Sequence, residues 1–337
     1  MTHFFPDRAA LMLVALAAAV ISSTLIVLLR PLLQRYALAR PNARSSHAVP
    51  TPQGAGIAVI AATLAVAGVA ASMMSLGIPA TLFAATVFIA LVGLADDIRP
   101  IPVPPRLLLQ AAAVGAVILT APAELRIAPM LPLAVERGLL LLAGVWFVNL
   151  VNFMDGLVLM TAAEIVPITG ALVLLGWIGN FVAMPTIIAA ALGGAMLGFA
   201  PFNRPVAKVF LGDVGSLPIG LLMGWCLLQL AWHQQIIAAL LLPLYYLADA
   251  SITLLRRLTK GEAFWAAHRT HFYQRATANG CPVVWVVGEV FALNLALAAL
   301  AIASTNVSSA ALRASLLAVG TALVALVLSR FSTRKRA

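Results

Sequence analysis

Ala9–Leu29 reads AALMLVALAAAVISSTLIVLL, twenty-one consecutive residues without a charge. A helix rising 1.5 Å per residue crosses the roughly 30 Å hydrocarbon layer of a bilayer in about 20 residues, so this run has the length of a membrane span. Its flanks decide between a span and a secretion signal. A signal carries its basic residues ahead of the apolar stretch, whereas here Arg30, Arg35, Arg40 and Arg44 follow it. The run reads as a retained first span with its N-terminus outside.

Similar runs recur along the chain, at 54–74, 79–95, 106–121, 134–152, 157–176, 182–200, 215–232, 235–255, 283–303 and 308–329. With 63% hydrophobic residues and a mean hydropathy of +1.04, the 337-residue chain cannot be a soluble globule. The expected fold is an all-α, polytopic helical bundle of about eleven spans, forming a single domain over 1–337. An odd number of spans puts the two termini on opposite sides. Seventeen of the 21 Lys and Arg fall in 30–53, 96–106, 201–214, 256–282 and 330–337, which predicts that these segments are cytoplasmic, with N out and C in. The net charge of +10 is therefore read as topology and attraction to membrane lipids, not as a nucleic-acid surface. Cys226 and Cys281 are too few for a disulfide framework or a zinc site.

Only eleven residues are acidic, and five of them are aspartates at the same side of the predicted spans. Asp96 and Asp97 lie in GLADDIRP, Asp155 in NLVNFMDG, Asp213 in KVFLGDVGS and Asp249 in YYLADAS. Carboxylates beside a bilayer are costly and mark functional sites by default. Acids at the C-terminal end of a helix also oppose its dipole, so local propensity does not explain Asp96 and Asp97. Asn149, Asn152 and Asp155 share one helical face, suited to a nucleobase, a sugar amide or a hydrated metal; amides bonding between helices compete for the two Asn. Gly212, Asp213 and Gly215 make a glycine turn before a helix, with Ser216 as its expected N-cap and Lys208 upstream. Such a turn offers N–H groups to phosphate, and its Asp can hold Mg2+. His268, Arg269, His271 and Arg275, with Tyr273 and Gln274 between them, form an anion-binding and hydrogen-bonding patch in the longest inner loop. Asp249, about 9 Å inside its span, is balanced between function and an interhelical bond, and Glu164 and Glu289 lean to the latter. The turn Pro50–Gly56, with His47 just before it, is equally well a rigid helix entry. A transporter would place ionisable groups along a path open to both faces, which this one-sided clustering disfavours.

Taken in order, SSHAVPTPQGAG, GLADDIRP, NLVNFMDG, FNRPVAKVFLGDVGS and GEAFWAAHRTHFYQRA resemble the polyprenyl-phosphate N-acetylhexosamine-1-phosphate transferases, glycosyltransferase family 4, with HRTHFYQR nearest the O-antigen branch. The resemblance implies transfer of an N-acetylhexosamine 1-phosphate from a UDP-N-acetylhexosamine to undecaprenyl phosphate at the cytoplasmic face of a bacterial inner membrane. UMP is released and Mg2+ is required, with Mn2+ as an alternative. It implies Asp213 as the metal carboxylate, and Asp96 or Asp97 as the group that deprotonates or positions the lipid phosphate. Asn149, Asn152 and Asp155 would face the nucleotide and metal. His268, Arg269 and His271 would contact the diphosphate or sugar; His47, Lys208, Gly212 and Arg275 complete the implied substrate contacts. GlcNAc, QuiNAc and FucNAc all remain open as the sugar, and so does a homodimer. Two stretches depart from relatives, which often place Ile-Asp-Gly at Leu157, Val158 and Leu159, and a basic residue and a glycine at Gln53 and Ala55. The first departure motivates an alternative: a lipid-phosphate-binding member that has lost turnover.

Overall fold

The computed structural model describes residues 7–39, 50–262 and 268–333, and His47 lies outside them. The helices are α1 (Arg8–Tyr36), α2 (Gly56–Met73), α3 (Ala80–Ile98), α4 (Val103–Leu119), α5 (Leu133–Met154), α6 (Met160–Trp177), α7 (Ala183–Asn203) and α8 (Asp213–Trp232). They continue as α9 (Ile236–Leu241), α10 (Leu244–Thr259), α11 (Phe272–Ala278), α12 (Val283–Thr305) and α13 (Ala310–Ser332). Among the described residues nine helices are long and apolar enough to cross a membrane. The chain is thus a multi-pass membrane bundle.

The span expected at 235–255 is in fact two helices, α9 and α10, interrupted at Leu242 and Pro243. Proline has no N–H to donate and clashes with the preceding turn, so a continuous helix fails there; Pro243 instead starts α10, its carbonyl accepting from Leu247 N–H at 2.9 Å. The Pro50–Gly56 entry is also more than a turn. Leu38–Ala39 (β1) and Thr51–Pro52 (β2) pair antiparallel, and Gln53 N–H donates to Ala37 O at 2.8 Å.

Close approach of backbones holds the bundle. A Cβ on Gly194 of α7 would stand 2.0 Å from Ala15 O of α1, and one on Gly198 would stand 2.3 Å from Ala19 O. This small-xxx-small pattern lets the two helices touch where lipid supplies no hydrophobic drive. α6, α7 and α8 form the buried centre, while α1 and α13 lie outermost.

The two ends of the bundle differ as the parity of the spans predicts. At one end Arg8 lies 3.7 Å over the Trp177 ring and Asn180 reaches Asn306 at 3.2 Å. The expected inner segments meet at the other end. Phe210 N–H donates to Pro52 O at 2.7 Å, Asp213 N–H to Asp97 at 2.9 Å, Tyr273 O–H to Phe153 O at 3.0 Å, and Asn279 to Phe331 O at 3.0 Å.

Candidate active site

Asp97 organises that end. Its Oδ1 accepts from Asp213 N–H at 2.9 Å and its Oδ2 from Val214 N–H at 3.0 Å, while the Gln53 amide also donates to it. The first N–H groups of a helix have no partner within it, and the positive end of the dipole favours an anion. Asp97 of α3 therefore caps α8 from outside. Ser216, expected as the cap, lies a turn inside α8 and is buried, because α8 begins at Asp213 after Gly212 at φ +78°.

Glycines make this seating feasible. A Cβ on Gly93 would fall 2.3 Å from Asp213 O, and one on Gly56 would fall 2.2 Å from Gly215 Cα. Gly54 and Ala55 N–H groups both donate to Phe210 O, at 3.1 and 3.0 Å, and Gly56 N–H donates to Leu211 O at 2.9 Å. The glycines of three separate motifs thus serve one contact among α2, α3 and the start of α8.

Asp213 and Asp96 touch through their carboxyl groups. Asp213 Oδ1 also accepts from Asn152 Nδ2 at 2.7 Å, an amide that reaches Ser216 Oγ at 2.9 Å. Asp96 accepts from Ile101 N–H at 2.6 Å and from Arg106 Nη1 at 2.8 Å. Asp155 follows the last turn of α5 and accepts from the Thr161 hydroxyl. Burial, with the Asp97 charge adding to it, pushes the Asp155 carboxyl up to about 7, so it holds its proton far longer than an ordinary aspartate.

Asn149, on the same face as Asn152, is otherwise engaged. Its Nδ2 donates to Gln110 Oε1 of α4 at 2.5 Å and to Val145 O at 2.8 Å, the interhelical bond that competed with a ligand role. Lys208 is exposed, and its N–H donates to Phe202 O at 2.8 Å.

The HRTHFYQR segment is tied to the site through Asp249. This fully buried carboxylate accepts from Tyr245 O–H at 3.2 Å, Thr253 Oγ1 at 3.3 Å, Phe272 N–H at 3.0 Å and Tyr273 N–H at 3.2 Å. It also bonds His271 Nδ1 at 3.1 Å. Asp249 therefore caps α11 and fixes the His271 ring, leaving Nε2 as the nitrogen available to a ligand. His271 stacks on His268 at 4.9 Å and on Tyr273 at 5.7 Å, with Phe153, two residues before Asp155, at 6.4 Å. Tyr273 packs on the NFMDG turn, where a Cβ on Gly156 would lie 2.2 Å from its hydroxyl oxygen. Burial, with the His271 and Arg257 charges, lowers His268 to about 4, so it is a neutral hydrogen-bonding ring near pH 7. Arg269 is exposed beside them.

The structure thus joins Asp96, Asp97, Asn152 and Asp213 directly, and brings Asp155 and the histidines against them through Phe153 and Tyr273. Arg106, Thr161 and the anchoring role of Gln53 escaped sequence reasoning. Arg106 carried a usable signal, a cation ten residues after Asp96 in the first turn of α4, just past the proline-rich connection; the Thr161 hydroxyl carried none. Val158 and Leu159 line an apolar cavity of about 330 Å3 between α6, α7 and α12, and Leu159 takes a left-handed φ of +63°, a conformation that ordinarily suits glycine.

A second apolar cavity, about 430 Å3, lies between α4, α5, α8, α9 and α10. Its lining on α5 and α8 comes no nearer the acids than Val148 and Gly220, each seven residues along its helix from Asp155 and Asp213, about 10 Å by helical rise, and it extends to Ile127, Ala231 and Ile236 toward the opposite end.

Residues 79–231 match the model of glycosyl transferase family 4, a stretch containing GLADDIRP, NLVNFMDG and FLGDVGS. The chain is 27% identical over 310 residues to a decaprenyl-phosphate N-acetylglucosaminephosphotransferase of Mycobacterium leprae, covering 80% of this chain and 77% of that protein. It is 30% identical over 166 residues to phospho-N-acetylmuramoyl-pentapeptide-transferases of Buchnera aphidicola and Rickettsia massiliae, covering 43% of this chain and 47% and 45% of theirs. It therefore spans less than half the length of these two relatives. The matched stretch carries the acids that meet at the α8 N-terminus, and over it the chain is similar to glycosyl transferase family 4 and to these polyprenyl-phosphate and pentapeptide phosphotransferases.

Proposed function

We propose that the chain transfers an N-acetylhexosamine 1-phosphate from a UDP-sugar to undecaprenyl phosphate and releases UMP. This would occur at the cytoplasmic face of a bacterial inner membrane and would start a lipid-linked glycan of the O-antigen type. The observation that carries the reading is the meeting of Asp96 and Asp97, Asn152 and Asp213, from three separate segments, at the start of α8. An amphiphilic acceptor would place its phosphate there, and the apolar cavity about two turns deeper in the bundle would take part of its isoprenoid chain. A phosphate oxygen of the lipid attacks the phosphorus bearing the sugar, the bridging P–O bond to the uridylyl phosphate breaks, and UMP leaves with that oxygen. Direct attack is preferred over an aspartyl intermediate, because the Asp97 carboxylate is occupied by three donors and Asp96 by Arg106.

Two touching carboxylates, Asp96 and Asp213, need a proton or a cation between them, and among the described residues no three His, Cys, Asp or Glu gather as a metal cage. That donor set suits Mg2+, which takes one or two carboxylates and fills its remaining positions with phosphate oxygens and water. Asp213 and Asp96 would hold it, and when bound it would neutralise the charge of the diphosphate. Asn152 orients Asp213, and Asp97 fixes the start of α8. Neutral His268 and the free Nε2 of His271 supply hydrogen bonds to the phosphates or the sugar, and Arg269 supplies charge. Phosphoryl transfer asks chiefly for such positioning and charge stabilisation.

A second reading rests on Val158, whose side chain lines an apolar cavity where relatives often carry a carboxylate: a member that binds lipid phosphate without turnover. Purified protein with undecaprenyl phosphate, Mg2+ and a panel of UDP-N-acetylsugars separates the two. UMP release that needs lipid, and that falls on the order of a hundredfold or more in Asp213→Asn, supports the transferase. Tight lipid binding with no UMP from any sugar sinks it in favour of the second.

A further inference from the structure

Glu164, in the second turn of α6, stands apart from the acids at the start of α8. Its Oε2 accepts from Asn294 Nδ2 of α12 at 2.6 Å, and the same amide donates to Ala163 O at 3.0 Å. Glu164 and Asn294 are each 1% exposed, and Asn294 lies midway along α12, so the pair sits deep in the bundle. A carboxylate is costly at that depth. Joining α6 to α12 does not call for one, because the Asn294 bond to Ala163 already joins them.

The carboxylate has a second donor, the Tyr246 N–H. Tyr246 is in the first turn of α10, which starts inside the bundle because Pro243 parts it from α9. The first N–H groups of a helix have no partner within it, water does not hydrate them inside a bilayer, and α10 has no capping side chain of its own. Glu164 supplies an acceptor from α6 at the positive end of the α10 dipole, as Asp97 does for α8. The buried face of α10 then reaches the transfer centre twice. The Tyr246 hydroxyl lies beside that of Thr161, which donates to Asp155. Asp249, three residues further on, holds His271 and the start of α11. We propose that Glu164 is a positioning residue: by fixing the start of α10 it sets where Asp155 and His271 stand relative to one another. This role rests on the transferase reading, since it serves the same site.

Glu164→Leu and Asn294→Leu both remove the bond between the two side chains, but only the first takes the acceptor from the Tyr246 N–H. The full chain is compared in three ways: thermal midpoint, the NMR Hε1 resonance of His271, and UMP release with undecaprenyl phosphate, Mg2+ and the UDP-sugar that the wild type turns over. Glu164→Leu should shift the His271 resonance and lower kcat about tenfold or more, since small displacements of reacting groups cost that much. Asn294→Leu, at an equal or lower thermal midpoint, should keep the resonance and most of the release. Glu164→Gln keeps an acceptor for the Tyr246 N–H, and its amide can donate to Asn294 Oδ1, which is buried without a partner among the described residues; it should recover both readouts. Should Glu164→Leu not fold, Glu164→Asp, whose carboxylate stops a methylene short of the Tyr246 N–H, takes its place with the same expectation. Equal losses in the two Leu variants, an unmoved His271 resonance or an unaltered kcat would overturn the role. Absence of UMP from the wild type with every sugar would sink the transferase reading instead, and the His271 resonance would still decide whether Glu164 fixes α10.

Discussion

Asp249 accepts five hydrogen bonds from a fully buried position, and two of them come from backbone N–H groups at the start of α11. Asp249→Asn turns one acceptor oxygen into a donor facing those donors, and leaving buried groups unmatched costs about 1–3 kcal/mol each. The variant should unfold at lower temperature by differential scanning fluorimetry and lose UMP release through a misplaced His271, whereas Asp249→Glu should recover part of the release. His268 lends itself to a different measurement. With its pKa lowered to about 4, below the ordinary value of about 6.5, the ring stays neutral as pH falls through 6.5. Its NMR Hε1 shift should be flat between pH 5.5 and 8, and nucleotide affinity should not decline as pH rises through 6.5, as it would if an imidazolium made the contact. A bound diphosphate should move the titration upward.

Elements meet at this site through absent side chains. Gly56 of α2 and Gly215 of α8 approach so closely that Gly56→Ala would put its Cβ 2.2 Å from a backbone Cα, and backbone cannot yield as a flexible side chain can. Overpacking of this kind costs about 1–3 kcal/mol. Prying α2 from α8 also tilts the helix start that Asp97 caps, so UMP release should fall further than the thermal midpoint alone accounts for; full activity in a destabilised Gly56→Ala protein would sink this account. At this scale the sequence was legible in part. The apolar runs located the spans within a few residues, because length and composition govern crossing a bilayer. The division of the ninth span at Pro243 and the capping of α8 by another helix were not legible. The first was masked by continuous hydropathy, and the second depends on contacts 116 residues apart in sequence.

Across the whole molecule, the acids lie at one end and the 430 Å3 apolar cavity begins about two turns deeper, where the proposed function would seat the isoprenoid. Ala143 lines that cavity away from the acids, so Ala143→Trp should raise the apparent KM for undecaprenyl phosphate about tenfold or more by filling the slot. It should leave turnover of a short-chain isoprenyl phosphate nearly unchanged, as steady-state UMP release with the two acceptors would measure. Equal effects on both would place the lipid elsewhere.

The order of apolar runs was enough to specify a membrane bundle, and the bias of Lys and Arg with five aspartates among so few acids singled out one end of it as the candidate site. Those properties belong to single segments, since burial in lipid, positive charge at an interface and the cost of a carboxylate are each decided locally. Partnership was decided only by the tertiary structure. Asn149 turned to Gln110 while Asn152, one turn along the same face, turned to Asp213; Asp249 became the anchor of His271; and Gln53 became the neutral donor that holds Asp97. Hydrogen bonds of 3 Å reach have no sequence period, so side chains on one helical face can serve opposite purposes until the neighbouring helices are in place.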